Sequence, residues 1–128
     1  MENLINEDIL VMQLNSFIPD VTPNGPVANG MSENRAIKNG IKNNNLNTNR
    51  DLRNLMSLTS RILDTENTVL QTFLCDKLTY LGFESKSTAV TDDMTVKQKN
   101  ECFAGSYLLY CQGLMDVQHL LDIMAKLN

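Results

Sequence analysis

The sequence predicts an all-α protein, and three observations predict it. From Val96 onward, apolar or aromatic residues recur at alternating steps of four and three: Val96, Asn100, Phe103, Tyr107, Tyr110, Leu114, Val117, Leu121 and Met124, with Asn100 the one polar member. A 3.5-residue repeat held this long signals helix-on-helix packing. A second repeat runs through Leu52, Leu55, Thr59, Ile62, Glu66, Val69 and Phe73, reinforced by Met56, Leu63 and Leu70. Helix start and stop signals flank both repeats. Thr48 with Asp51, and Thr95 with Gln98, match the capping-box spacing, and Gly82 suits the left-handed position after a helix, from which Phe83 can touch Leu78. The expected architecture is a short N-terminal amphipathic helix over 1–19, an Asn/Gly-rich arm or linker over 20–47, and a two-helix core over 48–128. Its helices, at about 48–81 and 93–127, form a long antiparallel hairpin with bundle or coiled-coil-like packing.

Within the first segment, Asn6 can cap a helix whose first turn carries Glu7 and Asp8, acids suited to the positive helix end. Ile9, Leu10, Met12, Leu14 and Phe17 supply its apolar face, and Pro19 prevents a long continuation. This helix covers either its own core or a neighbouring subunit. The arm after it holds the pairs Asn24-Gly25, Asn29-Gly30 and Asn39-Gly40, which favour turns because both residue types tolerate positive φ. Only Ser32 to Asn39 offers a helical turn or two, stopped at Gly40.

In the second long helix, Thr59 and Glu66 place polar groups on the apolar seam, where they cost stability and set register. Glu66 is expected at an exposed edge, or against a partner's basic or hydroxyl group. A Ser/Thr/Asp-rich link from Glu84 to Met94 leads into the last helix, which is expected to start near Thr91 to Thr95, either with Asp92 and Asp93 near its positive end or with the Thr95–Gln98 capping box. That helix is apolar over most of its circumference, because Leu108, Leu109, Met115, Leu120, Ile123 and Leu127 add a second surface beside the seam. Each fully buried Leu, Ile, Met or Phe contributes roughly 1.5–3 kcal/mol, so the surface must be covered. The expectation is a rod about 48 Å long, sheathed by its own chain on one side and by a second subunit on the other, unless it breaks at Gly105 or Gly113.

Composition narrows the function classes. The chain has 128 residues, a formal net charge of −4, 5% aromatic residues and no Trp. That acidic balance argues against a dedicated nucleic-acid binder. Cys75, Cys102 and Cys111 are odd in number and lie within helical pattern, so they read as reduced, buried small hydrophobes. The acidic N-terminus lacks the basic start of a signal peptide, and no apolar run is long enough to span a membrane. An intracellular setting is expected, cytoplasmic or within an assembled particle. Asparagine is abundant, 16 residues, nine of them between Asp20 and Arg50, a bias common in AT-rich and viral genomes.

No motif builds catalytic chemistry. The single histidine, His119, falls on the polar strip of the last helix. Its spacing to Cys102 and Cys111 is not that of a metal site, and no Gly-rich phosphate loop is present. No catalytic residue, metal, cofactor or small-molecule substrate is expected. Five basic residues, Arg35, Lys38, Lys42, Arg50 and Arg53, stand against two acids between Met31 and Arg53, whereas the first twenty residues carry four acids and no base. This basic arm suits an acidic protein neighbour, such as the N-terminus of another copy, better than nucleic-acid phosphates.

The expected function is a non-enzymatic structural or assembly protein that joins a larger complex through helical apolar faces, with a virus or phage particle component its most concrete form. The alternative is a small helical binding module, an assembly chaperone or an inhibitor of a partner protein. A nucleic-acid-associated factor ranks third. The expected contact residues are Leu55, Ile62, Val69, Phe73, Phe103, Tyr107, Leu108, Tyr110, Leu114, Met115, Val117, Leu121, Ile123 and Met124, and the basic arm is a second contact region.

Overall fold

A computed structural model describes residues 7–17 and 46–128. Asn6, the three Asn-Gly pairs, the Ser32–Asn39 turn and the basic residues Arg35, Lys38 and Lys42 lie outside the described residues. Those described form five helices and no strand: α1 (Glu7–Phe17), α2 (Asn49–Thr65), α3 (Thr68–Tyr80), α4 (Val96–Cys111) and α5 (Val117–Leu127). The all-α expectation holds, with the helices packed as a bundle.

The caps form where the sequence places them. Thr48 accepts from the Asp51 N–H while Asp51 accepts from the Thr48 N–H, closing the capping box that starts α2. Thr95 and Gln98 do the same for α4. Each such cap is worth about 1 kcal/mol. After α3, Gly82 takes φ 98° and the Phe83 N–H donates back to the Leu78 carbonyl, 3.2 Å, the bond that closes a left-handed helix end.

The two long rods do not form; each divides. Glu66 adopts φ 56° and ends α2, and Asn67 then caps α3 by accepting from the Val69 and Leu70 N–H groups. The last rod breaks at Gly113, one of the two glycines expected to permit it. Gly113 takes φ 77°, the Leu114 N–H donates to the Leu109 carbonyl at 2.9 Å, and Asp116 caps α5. The longest helix, α2, therefore has 17 residues, about 25 Å rather than the 48 Å expected.

The direction of the helices also differs from an antiparallel hairpin. Leu46 and Asn49 at the head of α2 meet Asn100 and Lys99 near the head of α4. Gln71 on α3 meets Tyr107 and Tyr110 near the foot of α4. The α2–α3 arm and α4 thus advance in the same sense. What runs antiparallel to α4 is the link itself: Ser85, Lys86 and Thr88 bond Gln112, Gly105 and Cys102 in descending order. The fourteen or so residues after α3, extended at about 3.3 Å each, suffice to return the chain to the head of α4. α1 lies antiparallel to α2, with Arg61 donating to Gln13 and Asn67 to Glu7.

The greasy last segment is covered within one chain. Its two halves fold against each other, and one continuous core joins Leu10 and Leu14 of α1, Leu52, Leu55, Leu58 and Ile62 of α2, Leu70, Leu74 and Leu78 of α3, Phe103, Tyr107 and Leu108 of α4, and Leu120, Ile123 and Leu127 of α5. Leu108 and Ile123 are buried and Met115 half-buried without a second subunit. The expected need for a neighbour at these residues is corrected: a straight rod exposes both faces, but a folded one buries each against the other. Two polar seam residues bond internally, although Asn100 Oδ1 stays buried without a hydrogen-bond partner. Thr59 donates to the Leu55 carbonyl, 2.8 Å, and Asn100 to the Leu46 carbonyl, 2.9 Å.

Gly105 stays helical for a different reason. A β-carbon there would stand 2.6 Å from the Lys86 carbonyl oxygen and 3.2 Å from that of Glu84, so the glycine admits the returning link. Gly105→Ala should therefore destabilise the protein by about 1–3 kcal/mol despite alanine's better helix propensity. Urea unfolding followed by circular dichroism measures this. An increase in stability would contradict the packing of the link on α4.

Candidate interaction surface

The break at Glu66–Asn67 rotates the chain about its own axis. In α2 the inward positions follow the expected seam, Leu52, Leu55, Thr59 and Ile62, all buried. Continued unbroken, the seam would turn Val69 and Phe73 inward. In α3 the buried residues are instead Leu70, Leu74, Lys77 and Leu78, one position later, a turn of about 100°. Val69 is left 76% exposed and Phe73 half-buried.

Val69 and Phe73 occupy the ridge between two adjoining grooves. One, of about 350 Å³, lies between α1 and α3 and is lined by Glu7, Asp8, Val11, Asn67 and Leu70 beside the ridge pair. The other, of about 320 Å³, continues across α3 past Thr68, Thr72 and Asp76. The floor is apolar, from Leu70 and the half-buried Val11. The rim is acidic, from Glu7, Asp8 and Asp76. Glu7 also accepts from Asn67 Nδ2 at 2.8 Å, which fixes the α1 head to the α3 head. The buried Lys77 sits over the Phe73 ring, its Nζ 4.8 Å from the centroid, and this cation–π contact holds the ring in place on the ridge.

The fourteen expected contact residues separate into three groups. Leu55, Ile62, Phe103, Tyr107, Leu108, Ile123 and Met124 belong to the chain's own core. Phe73, Tyr110, Met115 and Leu121 are half-buried against it. Of the fourteen, only Val69, Leu114 (70% exposed) and Val117 (40%) face outward as large apolar groups. On α1, Leu10 and Leu14 face the core, whereas Ile9 and Met12, expected on the same face, are exposed. The pattern of an eleven-residue helix does not reveal which stripe meets α2, and that is why Ile9 and Met12 group with the core positions in the sequence. Of the basic arm, Arg50 and Arg53 are described and exposed, on the first turns of α2. Arg53 borders a separate groove of about 360 Å³ with Met56, Leu121 and Met124.

His119 is exposed on α5. Among the described residues no group of three or more His, Cys, Asp or Glu side chains is placed to hold a metal ion, and no helix is long and apolar enough to cross a membrane. The cysteines are all free, with Cys102 buried, Cys75 half-buried and Cys111 exposed, which corrects the expectation that all three are buried. Cys111 is the last residue of α4, exposed as a residue although its sulfur turns inward along the helix.

Where α3 crosses α4, Tyr107 donates to the Gln71 carbonyl, 2.8 Å, and Tyr110 to Gln71 Oε1, 3.1 Å. One turn onward, the Cys111 sulfur turns toward Tyr107 and Cys75. Loss of water around that thiol, then the neighbouring Cys75, push its pKa up to about 12. Burial, aided by the nearby thiols, raises that of Tyr107 as well. Comparison with protein-family models, with curated proteins and with solved structures finds no match to this chain.

A group whose pKa is raised on folding favours the fold while protonated, so this contribution is complete below the unfolded thiol value of 9.0 and is lost as pH rises toward about 12. The thermal midpoint should therefore fall over that window, and Cys111→Ala should flatten the decline. An unchanged slope in the variant would contradict a desolvated Cys111 thiol.

Proposed function

We propose that this chain is a non-enzymatic assembly subunit that binds protein through the Val69–Phe73 ridge and its flanking grooves. The observation that supports this reading is a β-branched residue 76% exposed beside an aromatic ring, over an apolar floor. An exposed apolar cluster rimmed by polar groups marks a surface of contact with another molecule. Leu114, in the α4–α5 turn, and Val117, at the head of α5, add a second outward apolar point through which one subunit can meet more than one neighbour. The reading of the chain as a component of a virus or phage particle rests on the asparagine-rich composition, together with these surfaces.

Light scattering after size exclusion tests the proposal. The full chain should run as a multimer, and Val69→Asp should reduce it to a smaller species while leaving the helical circular dichroism signal unchanged, because Val69 contributes little to the core. A monomeric wild-type chain, or a Val69→Asp variant of unchanged mass, would contradict it.

A further inference from the structure

We infer that Cys75 and Cys111 form a redox-responsive pair, which closes a disulfide across the α3–α4 contact when a small-molecule disulfide serves as oxidant. The register of the two helices brings the thiols together. Gln71 on α3 meets Tyr107 and Tyr110 on α4 through its carbonyl and its side chain. Because α3 and α4 advance in the same sense, one further turn along each leads from Gln71 to Cys75 and from Tyr107 to Cys111. The Cys111 sulfur turns toward Cys75 accordingly. Both are free thiols open to reagent, Cys111 exposed and Cys75 half-buried.

The third cysteine stands apart. Cys102 lies nine residues before Cys111 on the same helix, about 14 Å along its axis. A disulfide needs α-carbons within about 7 Å, so these two cannot pair. The Cys102 thiol is buried and donates to the Thr88 carbonyl of the link, 3.4 Å, rather than facing α3. The odd cysteine count thus resolves into one pair and one secluded thiol.

The bond forms by two exchanges. The thiolate of one cysteine attacks the small disulfide, giving a mixed disulfide and expelling one small thiol. The other cysteine attacks the protein sulfur of that bond, forming the Cys75–Cys111 disulfide and expelling the second small thiol. The protein loses two hydrogens and two electrons, and the oxidant leaves as two thiols. The water-poor setting that keeps Cys111 protonated slows this exchange without opposing its product. The staple joins residues 36 positions apart, which restricts the unfolded chain and fastens α3 to α4.

Incubation of the folded full chain with oxidised glutathione, followed by peptide mapping without reductant, tests this. The intact mass should fall by two hydrogens, a linked Cys75–Cys111 peptide should appear, and Cys102 should alkylate as a free thiol after unfolding. The thermal midpoint should rise by about 10 °C and return on adding dithiothreitol. Cys75→Ser should keep the parent's circular dichroism spectrum, stop at glutathione on Cys111 and lose the rise, and Cys111→Ser should stop likewise at Cys75. A parent chain that stops at mixed disulfides, a disulfide between two chains, or a pair that includes Cys102 would overturn the inference. So would a linked chain whose midpoint falls, or thiols that stay free in the folded chain under conditions that oxidise them in urea.

Discussion

Glu66 takes a left-handed backbone conformation, φ 56°, and its N–H closes the end of α2 on the Leu63 carbonyl. A non-glycine residue adopts this conformation at a cost of roughly 1–2 kcal/mol. Its neighbours offset that cost. Thr65 and Asn67 absorb the loose ends of both helices through their side chains, and α3 enters with Leu70, Leu74 and Leu78 turned inward. The bend brings Gln71 against Tyr107 and Tyr110, fastening α3 to α4. It also pushes Val69 outward. The packing of the core and the apolar ridge on the surface are two consequences of one kink.

The second kink, at Gly113, has a similar effect on the last segment. A continuous helix from Val96 to Leu127 would present more apolar surface than its partners can cover. Divided, α4 and α5 cover each other, and Leu108 and Ile123 reach the same core from opposite sides. Helix shortening thereby replaces a neighbouring subunit as the means of burying most of the seam. Of the expected contact residues, the large apolar groups left outward are Val69 on the acidic-rimmed ridge at α1 and α3, Leu114 in the α4–α5 turn and Val117 at the head of α5.

Much of this fold is legible in the sequence where the signals are local. The caps at Thr48, Thr95 and Gly82 depend on residues a few positions apart, and each forms where the pattern puts it. The all-α class comes from the two repeats. The helix breaks are harder to read, because a repeat counted across Glu66 or Gly113 continues to look periodic. The signals are nonetheless present: Asn67 is a strong N-cap residue, and Gly113 with Asp116 is a stop followed by a start. Glu66 carries no such mark, since glutamate is an ordinary helix former and its left-handed turn is imposed by packing on both sides. Pattern alone therefore does not separate the ridge from the core residues. Val69 and Ile62 share one seam in the sequence and face opposite environments in the fold.

The most direct test of the kink is the sign of the stability change in Glu66→Gly, measured by urea unfolding. Glycine is favoured in the left-handed region and disfavoured inside a helix by about 1 kcal/mol. If Glu66 ends α2 as described, the variant should be more stable than the parent by about that amount. If residues 49–80 form one unbroken helix, with Val69 turned to the core, the variant should be less stable by a similar margin.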